Sequence, residues 1–363
     1  MNINRQMFSA TARPAWFGLL LVCLFVVWAS AGRGRATTVQ SAVEGTWSIE
    51  PRRKDDNKIQ LSLVVKTSDG NHNYGRPFEL SELPGLTREQ LASPQTDVAF
   101  RLVREAGDFA FTGTFRAGLG AGHFKFTPSQ SFIAAMRVRG YDNLSEDKLF
   151  SAATINVTTS GIDALKAAGF PDLTLEEVFK TAIFQVTPDF IREMRSLGFK
   201  DLGIEELVKA RIFKITPEFA REMSALGFKD LGLEELVKAR IHKITPEFAR
   251  EMSALGFDNL GMEDLIKARI FKVTPEFVRQ VSDLGFGRQP LETLVKLQIF
   301  KITPAFVREI RAVGLQNMTI EDFVKFKIHK IDADFINRAR AKGYAATDPE
   351  ELVRLRIHNS REL

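Results

Sequence analysis

"ITPEFAREMSALGFKDLGLEELVKARIHK", residues 215–243, is followed without a gap by "ITPEFAREMSALGFDNLGMEDLIKARIFK", residues 244–272. The unit is 29 residues long, and its glycine marks the frame along the chain: Gly140, Gly169, Gly198, Gly227, Gly256, Gly285, Gly314 and Gly343. Eight copies therefore run from about residue 129 to residue 359. A unit this short cannot bury its own apolar face, so self-similarity at this period predicts copies that stack on and bury one another.

Each copy encodes two short helices. Thr216 is the N-cap of the first, and Pro217 occupies the first helical position, where its missing N–H is harmless. Glu218 in the first turn complements the helix dipole. Phe219, Met223 and Leu226 form one apolar face, and Gly227 ends the helix in the left-handed conformation, with Phe228 placed for the contact that accompanies such a cap. The second helix starts at a cap or turn former: Ser145, Thr174, Gly203, Gly232, Gly261, Thr319 or Asp348, with Pro290 the exception. Leu236, Val237, Ile241 and residue 242 are its expected apolar side. Glu234 and Lys238 are spaced as an i,i+4 pair, as are Glu205–Lys209, Glu263–Lys267, Glu292–Lys296 and Glu321–Lys325. The end copies deviate as caps should, with Ser131 and Ala135 in the first and Asp332, Arg338 and Ala339 in the last. With helices packing at ~8–10 Å, the array would run on the order of 60–80 Å.

Ahead of the repeats the period changes to two. Ile59, Leu61, Leu63 and Val65 alternate with polar neighbours, as do Val98, Phe100 and Leu102, then Phe109, Phe111 and Phe115, then Phe124 and Phe126. Turn signals separate them at 68–71, 105–108 and 118–122, and Thr87 with Gln90 reads as a capping box on one short helix. "GLGAG" at 118–122 precedes alternating "HFKF" and reads as a hairpin, since a phosphate loop needs a helix behind it. Five or six strands and a helix suggest a small sandwich or partly open barrel. The expected fold is thus an α+β multidomain chain: a small antiparallel β domain at 44–128, an α-solenoid of eight helix-turn-helix repeats at 129–359, and a tail at 360–363.

Residues 1–31 read as a signal peptide or N-terminal membrane anchor. Arg5 and Arg13 precede an uncharged stretch from Ala15 to Ala31, which ends in the small-x-small pattern Ala29-Ser30-Ala31. The stretch is barely long enough to span a bilayer, and Arg33 and Arg35 follow in the linker at 32–43. Either outcome places the rest in the periplasm or on the outer face of the inner membrane, with membrane contact through 15–31 if the segment is retained. Cys23 is the only cysteine, so disulfides, thiolate nucleophiles and cysteine-bound zinc are excluded beyond residue 31. The chain carries 50 basic and 45 acidic residues; without Arg5 and Arg13, 48 basic residues remain. That near-balance does not suit a nucleic-acid binder, and none is expected as a partner.

Two basic columns recur on the second helices. Lys209, Lys238, Lys267, Lys296 and Lys325 form one; Arg211, Arg240, Arg269 and Lys327 form the other, broken by Gln298. Together they are the candidate binding ridge for an acidic partner, set against the simpler reading that bases near a helix C-terminus complement the dipole. His242, His329 and His358 occupy a position held by phenylalanine in other copies and read as packed rings. No metalloprotease, nucleophile-elbow or phosphate-loop motif occurs, and the carboxylates are periodic where an active site is single and irregular. No catalytic residue, metal site or cofactor is expected.

The repeat "TPEFxREMxxLGFxxLxxEELVKxRIHK", preceded by "GTWSIE…FAFTGTFRAGLGAGHFKFTP", resembles the extracytoplasmic C-terminal region of bacterial membrane metallopeptidases of the β-lactam-sensor (antirepressor) type. The likeness covers roughly residues 44–359. That family's peptidase domain has several membrane helices and a His-Glu-x-x-His zinc site, and this sequence has neither, so no catalytic residue carries over. The resemblance implies an envelope module for sensing or docking. The functional expectation is a non-catalytic protein–protein interaction or sensing scaffold with an unknown protein partner in the cell envelope. The alternatives are binding of an anionic glycan or lipid head group along the basic ridge, or a passive spacer.

Overall fold

The computed structural model describes residues 43–50, 58–67 and 70–358. The leader or anchor at 1–31, the linker up to residue 42, the turn at 68–69 and the chain beyond residue 358 lie outside the described residues, as do residues 51–57. Among the described residues, no helix is long and apolar enough to cross a membrane. Residues Ala42–Leu363 form one compact unit.

Among the described residues, six strands come first: β1 (Val43–Glu50), β2 (Lys58–Thr67), β3 (Gly70–Glu79), β4 (Gln95–Arg104), β5 (Gly107–Arg116) and β6 (Leu119–Pro128). They make one antiparallel sheet in the order β3-β2-β1-β6-β5-β4. The period-two residues of β2, β4, β5 and β6 are all buried, so the alternation sets the core face. A single open sheet stands where the sequence suggested a sandwich or a partly open barrel. Its apolar face shares one core with Leu83 and Leu86 of the β3–β4 connection and with side chains of the helical array, so no second sheet is needed to bury it. The connection also protects an edge, since the Pro84 carbonyl accepts from the Arg101 N–H of β4 at 2.9 Å. Helix α1 (Arg88–Ala92) carries the expected capping box, with Gln90 N–H donating to Thr87 Oγ1 at 3.3 Å and Thr87 N–H to Gln90 Oε1 at 2.9 Å. β3 has no alternation to read, because among its described side chains only Phe78 is fully buried.

The glycines of the β5–β6 hairpin act in packing as well as in the turn. The Trp47 indole of β1 donates through Nε1 to the Thr112 carbonyl at 3.1 Å. A Cβ on Gly113 or Gly122 would stand 2.7 or 2.8 Å from that indole. Their absence lets the ring lie across β6 and β5 and meet Phe100 of β4 at a centroid distance of 5.1 Å.

Among the described residues, sixteen helices follow as eight pairs: α2 (Gln130–Val138) with α3 (Glu146–Thr154), α4 (Thr159–Ala167) with α5 (Leu175–Phe184), α6 (Pro188–Ser196) with α7 (Ile204–Ile212), and α8 (Pro217–Ala225) with α9 (Leu233–Ile241). Then come α10 (Pro246–Ala254) with α11 (Met262–Ile270), α12 (Pro275–Val281) with α13 (Leu291–Ile299), α14 (Pro304–Ala312) with α15 (Ile320–Ile328), and α16 (Ala333–Ala341) with α17 (Pro349–His358). First helices pack on first helices and second on second, so one repeat position becomes a column along the array.

The caps are as read. Phe219 N–H donates to Thr216 Oγ1 at 3.2 Å, and the same bond starts α6, α10, α12 and α14. The frame glycines have φ between 83 and 101°. Phe228 N–H reaches the Met223 carbonyl at 3.2 Å and Gly227 N–H the Ser224 carbonyl at 3.0 Å, the two bonds of a Schellman cap. Second helices end in the same way, with Ile215 N–H to the Ala210 carbonyl at 2.7 Å and Lys214 N–H to the Arg211 carbonyl at 3.1 Å. Here the left-handed residue is lysine: Lys214, Lys243, Lys272, Lys301 and Lys330 have φ of 54–57°. The sixth copy departs most, because a π-turn at Ser282–Phe286 follows α12 and Pro290 caps α13 without a side-chain bond.

The array and the sheet meet through α3. Phe150 packs on Phe109, Phe124 and Phe126 at centroid distances of 5.3, 5.9 and 5.4 Å, and on Tyr74 at 5.0 Å.

Candidate functional site

The lysine column of the expected ridge is neutralised by its neighbours. Each ammonium reaches the glutamate 25 residues later, on the next second helix: Lys209–Glu234 at 2.5 Å, Lys238–Glu263 at 3.2 Å, Lys267–Glu292 at 3.4 Å and Lys296–Glu321 at 2.6 Å, with Lys325–Glu350 completing the series. Lys180–Glu205 at 2.7 Å begins it. This corrects the expected i,i+4 pairing. Among the described residues, only Lys180 with Glu176, at 2.9 Å, makes that intrahelical bridge. Stacking brings the next helix's glutamate as close as the helix's own, and the bridge then joins two repeats. These pairs hold the Lys180 and Lys325 amines above their ordinary range, chiefly through the hydrogen bonds to Glu205 and Glu350.

The second column points elsewhere. The guanidinium of Arg211 lies 3.9 Å from the centre of the Phe190 ring, and those of Arg240 and Arg269 lie 3.6 Å from Phe219 and Phe248. The Lys327 ammonium is 3.6 Å from the Phe306 ring. All four are half-buried cations on aromatic faces, where cation–π attraction acts at reduced solvation. Burial pushes each pKa down, which leaves the arginines charged and moves the Lys327 amine below its usual range. The Nε atoms of Arg211, Arg240 and Arg269 are buried without a hydrogen-bond partner, as befits groups held by stacking. At the position of the break, Gln298 Nε2 donates to the Lys272 carbonyl at 3.0 Å instead. The two columns therefore do not merge into one basic ridge.

The accessible feature is one that the sequence reading assigned to the core. Leu236, Val237 and Ala239 are buried, but Ile241 is 55% exposed. One residue, or 100° of helix, separates it from the inward column of Arg240. Ile183, Ile212, Ile270, Ile299, Ile328 and Ile357 occupy the same position and are 40–55% exposed. The left-handed lysines follow two residues after Ile212, Ile241, Ile270, Ile299 and Ile328, are themselves exposed, and leave the same end of each helix. His242 and His329 are half-buried C-cap residues, consistent with rings in a phenylalanine position, and His358 is exposed at the end of α17. Away from this edge, a shallow groove of about 530 Å³ between the fourth and fifth repeats is lined by Leu226, Phe228, Arg250, Phe257 and Leu265.

No protein-family model matches the chain, and no curated protein matches it either.

Proposed function

We propose that this chain is a non-catalytic scaffold of the bacterial envelope, exported or membrane-anchored, which recognises its partner along an edge of the helical array. The observation that supports this reading is the column of half-exposed isoleucines. Single exposed apolar residues are ordinary, whereas a column in register along a stacked array is a continuous apolar feature of the kind that marks interaction surfaces. The paired lysines and stacked arginines argue against the polyanion ladder at Lys209–Lys327, because those charges already have partners inside the fold.

Site-directed photocrosslinking tests the proposal in cells producing the full chain. A crosslinker placed at Ile241 or Ile270 is expected to yield discrete adducts, and one at Glu222 on the outer face of α8 is expected to yield none. Adducts equally abundant from all three positions, or from none, would count against recognition at this edge and leave the spacer account standing.

A further inference from the structure

We infer that the isoleucine edge docks on an anionic lipid bilayer, an inference that rests on the recognition reading above and names its partner. Three independent features of that edge support this assignment.

The first is charge. Other recurrent cations of the array are engaged: the Lys238 column by glutamates, the Arg240 column by rings, and Arg221, Arg250 and Arg279 by Glu218, Glu247 and Glu276 at 3.7, 3.7 and 3.6 Å. Those glutamates start the helices that follow Lys214, Lys243 and Lys272, and each is paired with an arginine of its own helix. Lys214, Lys243, Lys272, Lys301 and Lys330 have neither an acid nor a ring partner among the described residues. The edge thus carries an uncompensated positive row interleaved with its apolar row.

The second is backbone strain. Lysine sits at φ 54–57° in five consecutive repeats, at a cap where glycine would be unstrained and where each first helix of the same repeats does use glycine. Holding a lysine there keeps a cation two residues beyond each isoleucine at a conformational cost.

The third is shape. The isoleucines recur at one position on successive second helices and are 40–55% exposed, each projecting as a separate side chain. Tight protein anchors fill well-packed pockets. A fluid interface accepts separate side chains, with isoleucine entering the acyl boundary and lysine meeting phosphate.

Vesicle flotation decides the matter, using the 32–363 protein, which keeps the whole compact unit Ala42–Leu363. The wild type should float with vesicles of equal parts phosphatidylglycerol and phosphatidylcholine and not with phosphatidylcholine alone. The triple variant Lys243→Gln, Lys272→Gln, Lys301→Gln should partition about 100-fold less, at roughly a kcal/mol per lysine near an anionic surface. The triple variant Ile241→Ser, Ile270→Ser, Ile299→Ser should lose flotation while keeping its charge. Lys238→Gln, Lys267→Gln, Lys296→Gln removes the same net charge from the paired column and should leave most binding intact. Circular dichroism establishes that each variant is folded. Absence of wild-type flotation, or equal losses from both lysine triples, would overturn the lipid assignment. Discrete protein adducts from Ile241 in that event would keep the recognition reading and transfer the edge to a protein partner.

Discussion

At the residue scale, two caps with the same hydrogen bonds are written in different letters. Gly227 has φ +95° and no heavy atom within 4 Å of an added Cβ, so Gly227→Ala costs only conformational strain, about 1 kcal/mol. Lys243, at φ 56°, is the reverse case, and Lys243→Gly should stabilise by roughly 0.5–1 kcal/mol. Urea titrations followed by circular dichroism should move the midpoint in opposite directions for the two variants. Equal and same-signed shifts would mean that the lysine conformation is not strained. The glycine cap was legible because glycine reports a positive φ. The lysine cap was not, because lysine is an ordinary last-turn residue whose charge complements the dipole. Ile241 was misplaced for a related reason: an apolar letter one position past the inward column reads as core until the neighbouring helix fixes the edge of the interface.

At the element scale, the helix starts and the contacts between helices separate by how much they matter. Glu247 at the start of α10 is held below the usual carboxylate range by its own backbone N–H and by Thr245. A depressed folded pKa means that the contribution is present above the unfolded value and is lost as pH falls through the folded one. The urea midpoint should therefore drop on acidification, and Glu247→Gln should reduce that drop. A variant with unchanged acid sensitivity would remove Glu247 from the account. The Lys238–Glu263 bridge is half exposed, so Lys238→Gln should cost no more than about 0.5 kcal/mol. Arg240→Ala removes a half-buried stem and a stacked cation and should cost about 1–2 kcal/mol. If the order were reversed in a side-by-side titration, the bridge between repeats would count for more than the stacking within one. Sequence spacing suggested the ladder's residues but paired them within one helix, since the partner at 25 residues is visible only once the copies are stacked.

At the scale of the whole molecule, the sheet and the array meet at an aromatic cluster and at the hydrogen bonds from Thr159 to Glu105, while the array is joined to itself many times by one rule. Phe150→Ala removes a ring that touches Phe109, Phe124, Phe126 and Tyr74, and a cost of about 3–5 kcal/mol is expected, read as early loss of the aromatic circular-dichroism signal from the sheet. Removing a whole repeat should be far gentler. Deleting residues 215–243 joins Lys214 to Ile244, the residue type that follows it now. It brings Lys209 to a spacing of 25 from Glu263, the spacing found in every bridge of the ladder. Arg240 and its stacking partner Phe219 leave together, so neither is stranded. A stack held by nearest-neighbour contacts then closes over the gap. The shortened chain should keep its helix content per residue and show a urea midpoint closer to the parent's than that of Phe150→Ala. Deleting 215–229 alone removes a first helix, sets second helix after second helix and should unfold the array. If the full-repeat deletion proved as damaging as the half, stability would depend on the array as a whole, and the repeats could not be the interchangeable units that their sequence describes.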